Sequence, residues 1–327
     1  MSRNVYLKLK SVFHCCNNDE ADLTDRCYKI RPLITKINEA FLQWGVFSTF
    51  LSIDEMIVKY YGHNRLKQFI QSKPIRFGYK LWAHCSSGGY CYKFSVYASK
   101  DNNSTLGLLQ GSQVIINLLE DIQNPNDHAV FFDNFFTNCD ILIHLKSIGF
   151  RATGTMRENR TDKCPLLNSK ELSKKNHGRF DFRFDKNGEV LILKWNDNKC
   201  VTMGTNFDTI ELLGKATRWS KSSQQKLSVP QLNIIKTYNK HMRGVDHHDW
   251  LVGKYTTRIR GKKWYWPTSL SCLDFRRSVA MFYLKLGYIG ALRKRNVHGV
   301  VPDVQYDGNN HWIRRTDKQR RCQFPDC

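Results

Sequence analysis

Acidic residues are scarce in this 327-residue chain: 29 Asp and Glu stand against 51 Lys and Arg, a formal net charge of +22. That imbalance points to a polyanionic partner, usually nucleic acid. Long hydrophobic runs are also absent. None approaches the roughly 18–20 apolar residues of a membrane helix, and no apolar stretch follows Met1 as a secretory signal requires. The eleven cysteines are an odd number without regular spacing, which argues against a secreted disulfide framework. No internal repeat is visible. What is present is a 41% apolar, 13% aromatic composition, which excludes disorder as the main state and allows one or two domains with a sizeable core. The expectation is a soluble, intracellular, strongly basic globular protein that does not enter membranes.

The positive charge is uneven. From Leu251 to Cys327 there are 16 Lys and Arg against 5 Asp and Glu, half of the surplus in about a quarter of the chain. Aromatics are interleaved with it (Trp264, Tyr265, Trp266, Trp312). Basic and aromatic residues together suit phosphate neutralisation and contact with bases or sugars.

Along the chain, Leu33, Ile34, Ile37, Phe41 and Trp44 fall at helical spacing, with Pro32 early in the helix. The first forty residues read as the remnant of something longer. From Tyr79 to Tyr97 two aromatic-rich runs flank Ser86-Ser87-Gly88-Gly89, a β-hairpin signal. Val114, Ile115, Leu118, Leu119 and Ile122 predict an amphipathic helix, broken by Asn124-Pro125-Asn126. His128 to Phe132 reads as a short apolar strand ending at Asp133-Asn134. A helix through Ile141, Leu142, Leu145 and Ile148 closes at Gly149, and Phe150 to Thr155 is another strand. This order predicts an α/β layer fold with a mixed sheet. From Thr161 to Val229 a small β-rich insertion is expected, with Asn187-Gly188 as a hairpin turn and Ser220 to Ser228 as a polar loop. After Pro230 the chain turns helical, with Asp246 and Asp249 three apart on one face. A further helix is expected from Leu270 to Tyr288, then a basic tail.

Because acids are few, their positions carry information. Asp133 ends an apolar strand, where ligands bind in α/β sheets, although a strand-end Asp also commonly caps a helix. Asp246 lies in Met242-Arg243-Gly244-Val245-Asp246-His247-His248-Asp249. An acid at a strand end plus one on a nearby helix is how nucleases of the RNase H type hold two Mg²⁺ ions, hard cations that take oxygen ligands and clamp a phosphodiester displacement.

Six stretches, in order, resemble the piggyBac transposases and the domesticated proteins derived from them, a DDE-type, IS4-like family. They are Leu51-Ser52-Ile53-Asp54-Glu55, Lys73 through Trp82, Phe132-Asp133-Asn134-Phe135-Phe136-Thr137, Ala152 through Arg160, Tyr238 through Asp246 and Arg260 through Pro267, together covering about residues 23 to 290. The resemblance implies an RNase H-like mixed sheet with a β-rich insertion, flanked by a mainly helical DNA-binding and dimerisation domain. The expected segments are 1–74 (N-terminal helical remnant), 75–160 (first part of the core), 161–229 (insertion), 230–250 (last core helix), 251–320 (basic, DNA-binding) and 321–327 (truncated start of a Cys-rich domain). It implies cutting and joining of double-stranded DNA at TTAA targets, Mg²⁺ as cofactor, a homodimer, a nuclear location and no small-molecule substrate.

By motif position, Asp133 resembles the family's second metal-binding Asp, Asp246 the third and Asp249 an additional required acid. The first Asp is expected at the end of the Lys80-Leu81-Trp82 strand, where this chain has Ser86. No carboxylate lies between Glu55 and Asp101, and Asp101, at the far end of the hairpin, is a poor substitute. Asp54 and Glu55 are expected to be structural, or to anchor the N-terminal helix. His247 and His248 are expected to contact DNA or to pack. Arg258, Arg260, Lys262, Lys263, Trp264 and Trp266 are the expected DNA contacts, and Arg293-Lys294-Arg295 and Arg314-Arg315 suggest nuclear import or tail binding. Cys322 and Cys327 offer two thiolates where structural zinc needs four ligands, so zinc is not expected. The resulting expectation is a transposase-derived DNA-binding protein impaired in catalysis by Ser86. The alternatives are an active Mg²⁺-dependent transposase or nuclease, with Asp101 as ligand, and a protein-interaction scaffold on an RNase H-like fold.

Overall fold

A computed structural model describes residues 2–255 except 20–21, 23, 72, 74, 99–108, 212 and 221–223. All of them belong to the first of two units into which the chain divides. In chain order the elements are α1 (Arg3–Val12), α2 (Arg31–Trp44), β1 (Phe50–Lys59), β2 (Lys67–Phe69), β3 (Phe77–Ser86), β4 (Cys91–Val96), α3 (Gln110–Leu119), β5 (Ala129–Phe132), α4 (Cys139–Ser147), β6 (Arg151–Met156), α5 (Ser169–Leu172), β7 (Phe180–Asp185), β8 (Val190–Asn196), β9 (Cys200–Thr205), β10 (Gly214–Ser220), β11 (Gln225–Gln231), α6 (Asn233–His241) and α7 (Gly244–Tyr255).

β1 is central. It runs antiparallel to β3, which carries β4 and β2 on its other side, and parallel to β5, which runs parallel to β6. This is the expected RNase H-like mixed sheet. The insertion does not stand apart from it: β9 pairs antiparallel with β6, then β8 and β7 extend the same sheet. One sheet face packs Leu51, Ile53, Val130 and Phe132 against α3 and α4. On the other, Met56, Leu81 and Cys85 share a cluster with α2 and with Val245 and Val252 of α7.

Local sequence explains the helices. Pro32 sits in the first turn of α2, where its missing N–H costs nothing, and Ile34, Ile37 and Phe41 form its buried stripe. Trp44, expected in that stripe, is exposed at the last turn. Asn38 brackets Phe94 on the β4 edge, donating to its carbonyl at 2.9 Å and accepting its N–H at 3.1 Å. The Asn138 side chain caps α4 by accepting the Ile141 N–H, and Gly149, at φ +95°, follows its end.

Three expectations are corrected. Residues 1–74 are not a helical segment throughout, because β1 and β2 lie within them and β1 is the core strand. Its apolar residues are buried on both faces, so the alternation that marks a half-buried strand is missing. Ser220 and Gln225 to Ser228, expected in a loop, are strand: β10 (Gly214–Ser220) pairs antiparallel with β11 (Gln225–Gln231), while 221–223 lie outside the described residues. The expected last core helix is two helices, α6 and α7, separated at Met242-Arg243. The expected helix from Leu270 to Tyr288, and the segments beyond 255, lie outside the described residues.

Candidate functional site

The parallel pairing of β1 and β5 fixes the site. Its last rung joins Ile53 to Phe132, so the next residues, Asp54 and Asp133, leave neighbouring strands side by side. Side chains alternate along a strand. Since Ile53 and Phe132 enter the α3–α4 face, Asp54 and Asp133 fall on the face covered by α6 and α7. Asp133 lies in a tight turn, where its carboxylate accepts the Phe135 N–H at 2.8 Å and its carbonyl accepts the Thr137 hydroxyl at 2.7 Å. Arg160 donates to the carbonyls of Asn134 and Phe135, and Arg157 to the Asn134 side chain. Gly154 lets β6 approach this turn, because a Cβ there would meet Thr137 and the Phe132 ring. The stretch from Ala152 to Arg160 is therefore a brace for the Asp133 loop.

The other two acids come from α7. The helix starts at Gly244, pressed against Ser52 and Ser86 so closely that any side chain would collide with them. From that anchor Asp246 follows within the first turn and Asp249 one turn later on the same side. Tyr238 of α6 donates its hydroxyl to the Phe132 carbonyl at 3.3 Å and ties the preceding helix to the end of β5. Both Asp133 and Asp54 add to burial in pushing that phenol above its usual range.

The carboxylates sense one another. Burial is the main cause that pushes Asp54 up to about 7, and the negative charges of Asp133 and Asp246 add to it. Burial also raises Asp133, with Glu55 contributing, and pushes Asp249 up to about 6, with Asp246 contributing. Lys73 opposes the shift in all three, and Lys80 in Asp133. Partly buried carboxylates whose charges act on one another would gain from a cation among them. The donor set is all oxygen, which suits a hard divalent ion. Among the described residues, no group of three or more His, Cys, Asp or Glu side chains is already drawn close enough to hold a metal ion.

Ser86 is not on the rung of Asp54 and Asp133. It pairs with Leu51, whereas Asp54 pairs with Ala83, three rungs and about 10 Å along the strand. Its hydroxyl accepts the Tyr90 N–H at 3.0 Å, its own N–H reaches the Tyr90 carbonyl and its carbonyl takes the Gly89 N–H. Ser86 is a hairpin residue, and the acid beside Asp133 is Asp54. Asp54 and Glu55, expected to be structural or to anchor the N-terminal helix, both lie within β1, where Glu55 pairs with Lys80 and Lys73. A carboxylate in the middle of the apolar run Phe50 to Val58 was the signal: such a charge is costly to bury and is kept for a reason.

The histidines divide. His248 is buried, hydrogen-bonded through Nδ1 to the Gly89 carbonyl at 2.8 Å, and burial pushes it down to about 4. It packs as a neutral ring. His247 is exposed and stacks on Trp250. The expected DNA contacts Arg258, Arg260, Lys262, Lys263, Trp264 and Trp266, together with Asp101, Arg293 to Arg295, Arg314, Arg315, Cys322 and Cys327, lie outside the described residues.

The chain resembles known proteins. The family profile described as Transposase IS4 matches residues 1–275. The human piggyBac transposable element-derived protein 3 is 36% identical over 98% of this chain and 59% of its own length. The human piggyBac transposable element-derived protein 2 is 31% identical over 95% of this chain and 57% of its own. The chain thus spans somewhat under three fifths of the length of these curated relatives. Among solved structures, a piggyBac transposase in a synaptic complex with hairpin DNA superposes with a TM-score of 0.66 at 19% identity, over 86% of this chain and 59% of that one. On the extent of the profile match, supported by the two human relatives, the chain belongs to the IS4-type transposase family, in its piggyBac-derived branch.

Proposed function

We propose that this chain is a piggyBac-type protein that binds DNA and retains a complete acid set for cutting and joining strands, with Asp54 as the first acid, Asp133 as the second, Asp246 as the third and Asp249 beside them. The observation that carries this reading is the β1–β5 register, which leaves Asp54 next to Asp133 on the face under α7. With Asp54 in that role, Ser86 no longer implies impairment.

Asp54, Asp133 and Asp246 would hold the divalent ions, of which Mg²⁺ is the expected one. When bound, such ions supply charge stabilisation at the attacking and leaving oxygens of a phosphodiester. The chain's own residues fix the acids. Arg157 and Arg160 hold the Asp133 loop, Gly244 seats α7, and the dry core under Ile53 and Phe132 sets the rung from which both strand acids project. Partly buried surroundings strengthen the field of these carboxylates toward a cation. The surplus of positive charge, and the hairpin DNA held by the solved relative, support DNA as the polyanion. A nuclear location and a homodimer belong to the same reading.

The test is end-nicking and strand transfer on a DNA duplex with Mg²⁺ or Mn²⁺. Wild type and Ser86→Ala should both cut, and Asp54→Ala and Asp133→Ala should each lose at least about a thousandfold, roughly 4 kcal/mol of barrier. Cutting that survives Asp54→Ala overturns the assignment of the first acid. No cutting by wild type restores the impaired reading. DNA affinity should fall steeply with salt, as phosphate contacts require, and a flat salt response would favour the scaffold alternative.

A further inference from the structure

Among the described residues β7 is the last strand of the large sheet, paired with β8 on one side alone. The Asn196 N–H reaches the Arg179 carbonyl at 2.8 Å. From that rung an antiparallel ladder alternates, so Asp181, Arg183 and Asp185 turn their backbone groups toward β8. Phe180, Phe182 and Phe184 turn theirs to the open edge. At Phe182 both outward groups are taken by the flanking side chains. Asp181 Oδ1 accepts its N–H at 3.0 Å, and Arg183 donates to its carbonyl at 2.6 Å. The same two side chains form an ion pair at 2.7 Å. The rings of Phe182 and Phe184 are 38% and 55% exposed. An open edge of this kind is a template for pairing with another strand.

We propose that this edge docks a second copy of the chain, the two β7 strands running antiparallel about a two-fold axis through Phe182. The sequence around that axis is self-complementary. Arg179-Phe180-Asp181-Phe182-Arg183-Phe184-Asp185, laid against its own reverse, sets Arg179 opposite Asp185, Phe180 opposite Phe184, Asp181 opposite Arg183 and Phe182 opposite itself. Every charge meets the opposite sign and every ring meets a ring, which are the cross-strand pairs that stabilise a sheet. The charges also select the register. Moving one strand by two residues sets Arg183 against itself and Asp181 against Asp185; moving it the other way sets Asp181 against itself and Arg183 against Arg179. On pairing, the Phe182 N–H and carbonyl would exchange their side-chain caps for the Phe182 backbone of the second copy. Asp181 and Arg183 would exchange one ion pair within a strand for two between strands. Asp181 Oδ2 accepts the Leu167 N–H at 2.7 Å, which holds that carboxylate in place. A seven-residue edge is small beside a standard interface, so association should depend on concentration. The proposal gives a surface to the homodimer of the reading above and does not depend on the acid site.

Cross-linking of the full chain tests the register. Phe182→Cys puts a thiol on the axis, with about 5.5 Å between the two Cα atoms, within disulfide reach. Oxidised with diamide, it should give about tenfold more covalent dimer on a non-reducing gel than wild type, whose own cysteines set the background. Phe180→Cys and Phe184→Cys should each stay at background alone, because like thiols then stand about 13 Å apart along the strands. Mixed, these two variants should cross-link. A yield from Phe182→Cys at background, or equal yields from all three variants alone, overturns the proposal. Sedimentation equilibrium reads the charges. Arg183→Asp sets aspartates against each other on both sides of the axis and should weaken dimerisation by about tenfold or more. Adding Asp181→Arg to it reverses both signs and should bring association back to within about threefold of wild type. If the double variant does not fold, Arg179→Asp serves, with the same weakening expected as for Arg183→Asp. A wild type that stays monomeric overturns the homodimer and this surface together. A wild type that dimerises equally well with Arg183→Asp in place has its interface elsewhere, and this surface alone is refuted.

Discussion

From Leu51 to Asp54 the two faces of β1 do opposite work from one backbone, although Met56 and Val58 make the second face apolar further along. Leu51 and Ile53 are fully buried among Val130, Phe132, Ile141 and Leu142. Ser52 and Asp54, their immediate neighbours, lie under α6 and α7, where Asp54 faces the charges of Asp133 and Asp246. The dry face decides which rungs pair, because a slip of one residue would turn every apolar side chain out of the core. The polar face inherits the result. Asp54 sits beside Asp133 because Ile53 and Phe132 are fixed beside each other. The two strand acids are thus placed by side chains that point to the opposite face.

Breaking the dry face should have the largest effect. Phe132→Ala removes a fully buried ring from the rung below Asp133 and should cost about 3–5 kcal/mol of stability in urea unfolding. If the dry face positions the acids, the variant that remains folded should also bind Mn²⁺ more weakly, although it has lost no carboxylate. A variant with the full stability loss and wild-type Mn²⁺ affinity would separate the two faces and contradict the argument.

The polar face should respond with the opposite sign. Asp54 is pushed up to about 7 in the folded chain, against an ordinary value near 4 when unfolded. Between those values the native state binds the proton more tightly, so this group's contribution to stability falls as pH rises from about 4 to about 7 and stays low above. Asp54→Asn removes that penalty while keeping an oxygen to accept the Glu55 N–H. Without divalent ions it should stabilise the protein by about 2 kcal/mol at pH 8, and the gain should vanish by about pH 4. Denaturant titrations at several pH values check both the size and the sign. The buried neutral His248 changes in the other direction: pushed down to about 4, it supports stability above its ordinary value near 6.5, and that support is lost as pH falls through this window. The difference between Asp54→Asn and wild type isolates the carboxylate from this background.

The contrast between the faces also explains what could be read in the sequence. Elements with a local signal were legible: the β3–β4 hairpin from its aromatic runs and Gly88-Gly89, although β3 is buried on both faces, α3 and α4 from their apolar stripes, and Asp133 from its place after a short apolar strand. β1 was not, because it is buried on both sides and interrupted by Asp54-Glu55, a pattern of neither helix nor half-buried strand. Missing the strand leaves Asp54 out of the candidate set, and Ser86 is then named from motif position alone. The β10–β11 hairpin was missed for a different reason. Among its described side chains only Ala216 and Val229 are buried, so its composition reads as loop, and only cross-strand pairing reveals it. The pair Asp246 and Asp249 was visible from spacing, but the seat that aims them, Gly244 against Ser52 and Ser86, is a contact between distant segments that spacing does not contain.

The smallest effects should come from Ser86, and they bear most directly on where the site ends. Its hydroxyl accepts the Tyr90 N–H at the turn of the β3–β4 hairpin, where the Ser86 N–H also bonds the Tyr90 carbonyl and the Gly89 N–H the Ser86 carbonyl. Ser86→Ala should therefore cost about 1 kcal/mol, the worth of one buried neutral hydrogen bond, with Mn²⁺ affinity unchanged. Ser86→Asp is the sharper variant, because two arguments give opposite outcomes for it. Were Ser86 the empty place of a lost ligand, restoring a carboxylate would raise Mn²⁺ affinity and strand cutting sharply. With Ser86 opposite Leu51 and three rungs from Asp54, the new carboxylate would join the Tyr90 turn instead. Affinity should then stay within about twofold of wild type, since the new carboxylate would stand about 10 Å along the strand from Asp54, beyond the reach of an ion held there. A tenfold gain in Mn²⁺ affinity from Ser86→Asp would move the site from the end of β5 to the hairpin. No gain leaves it where Ile53 and Phe132 place it.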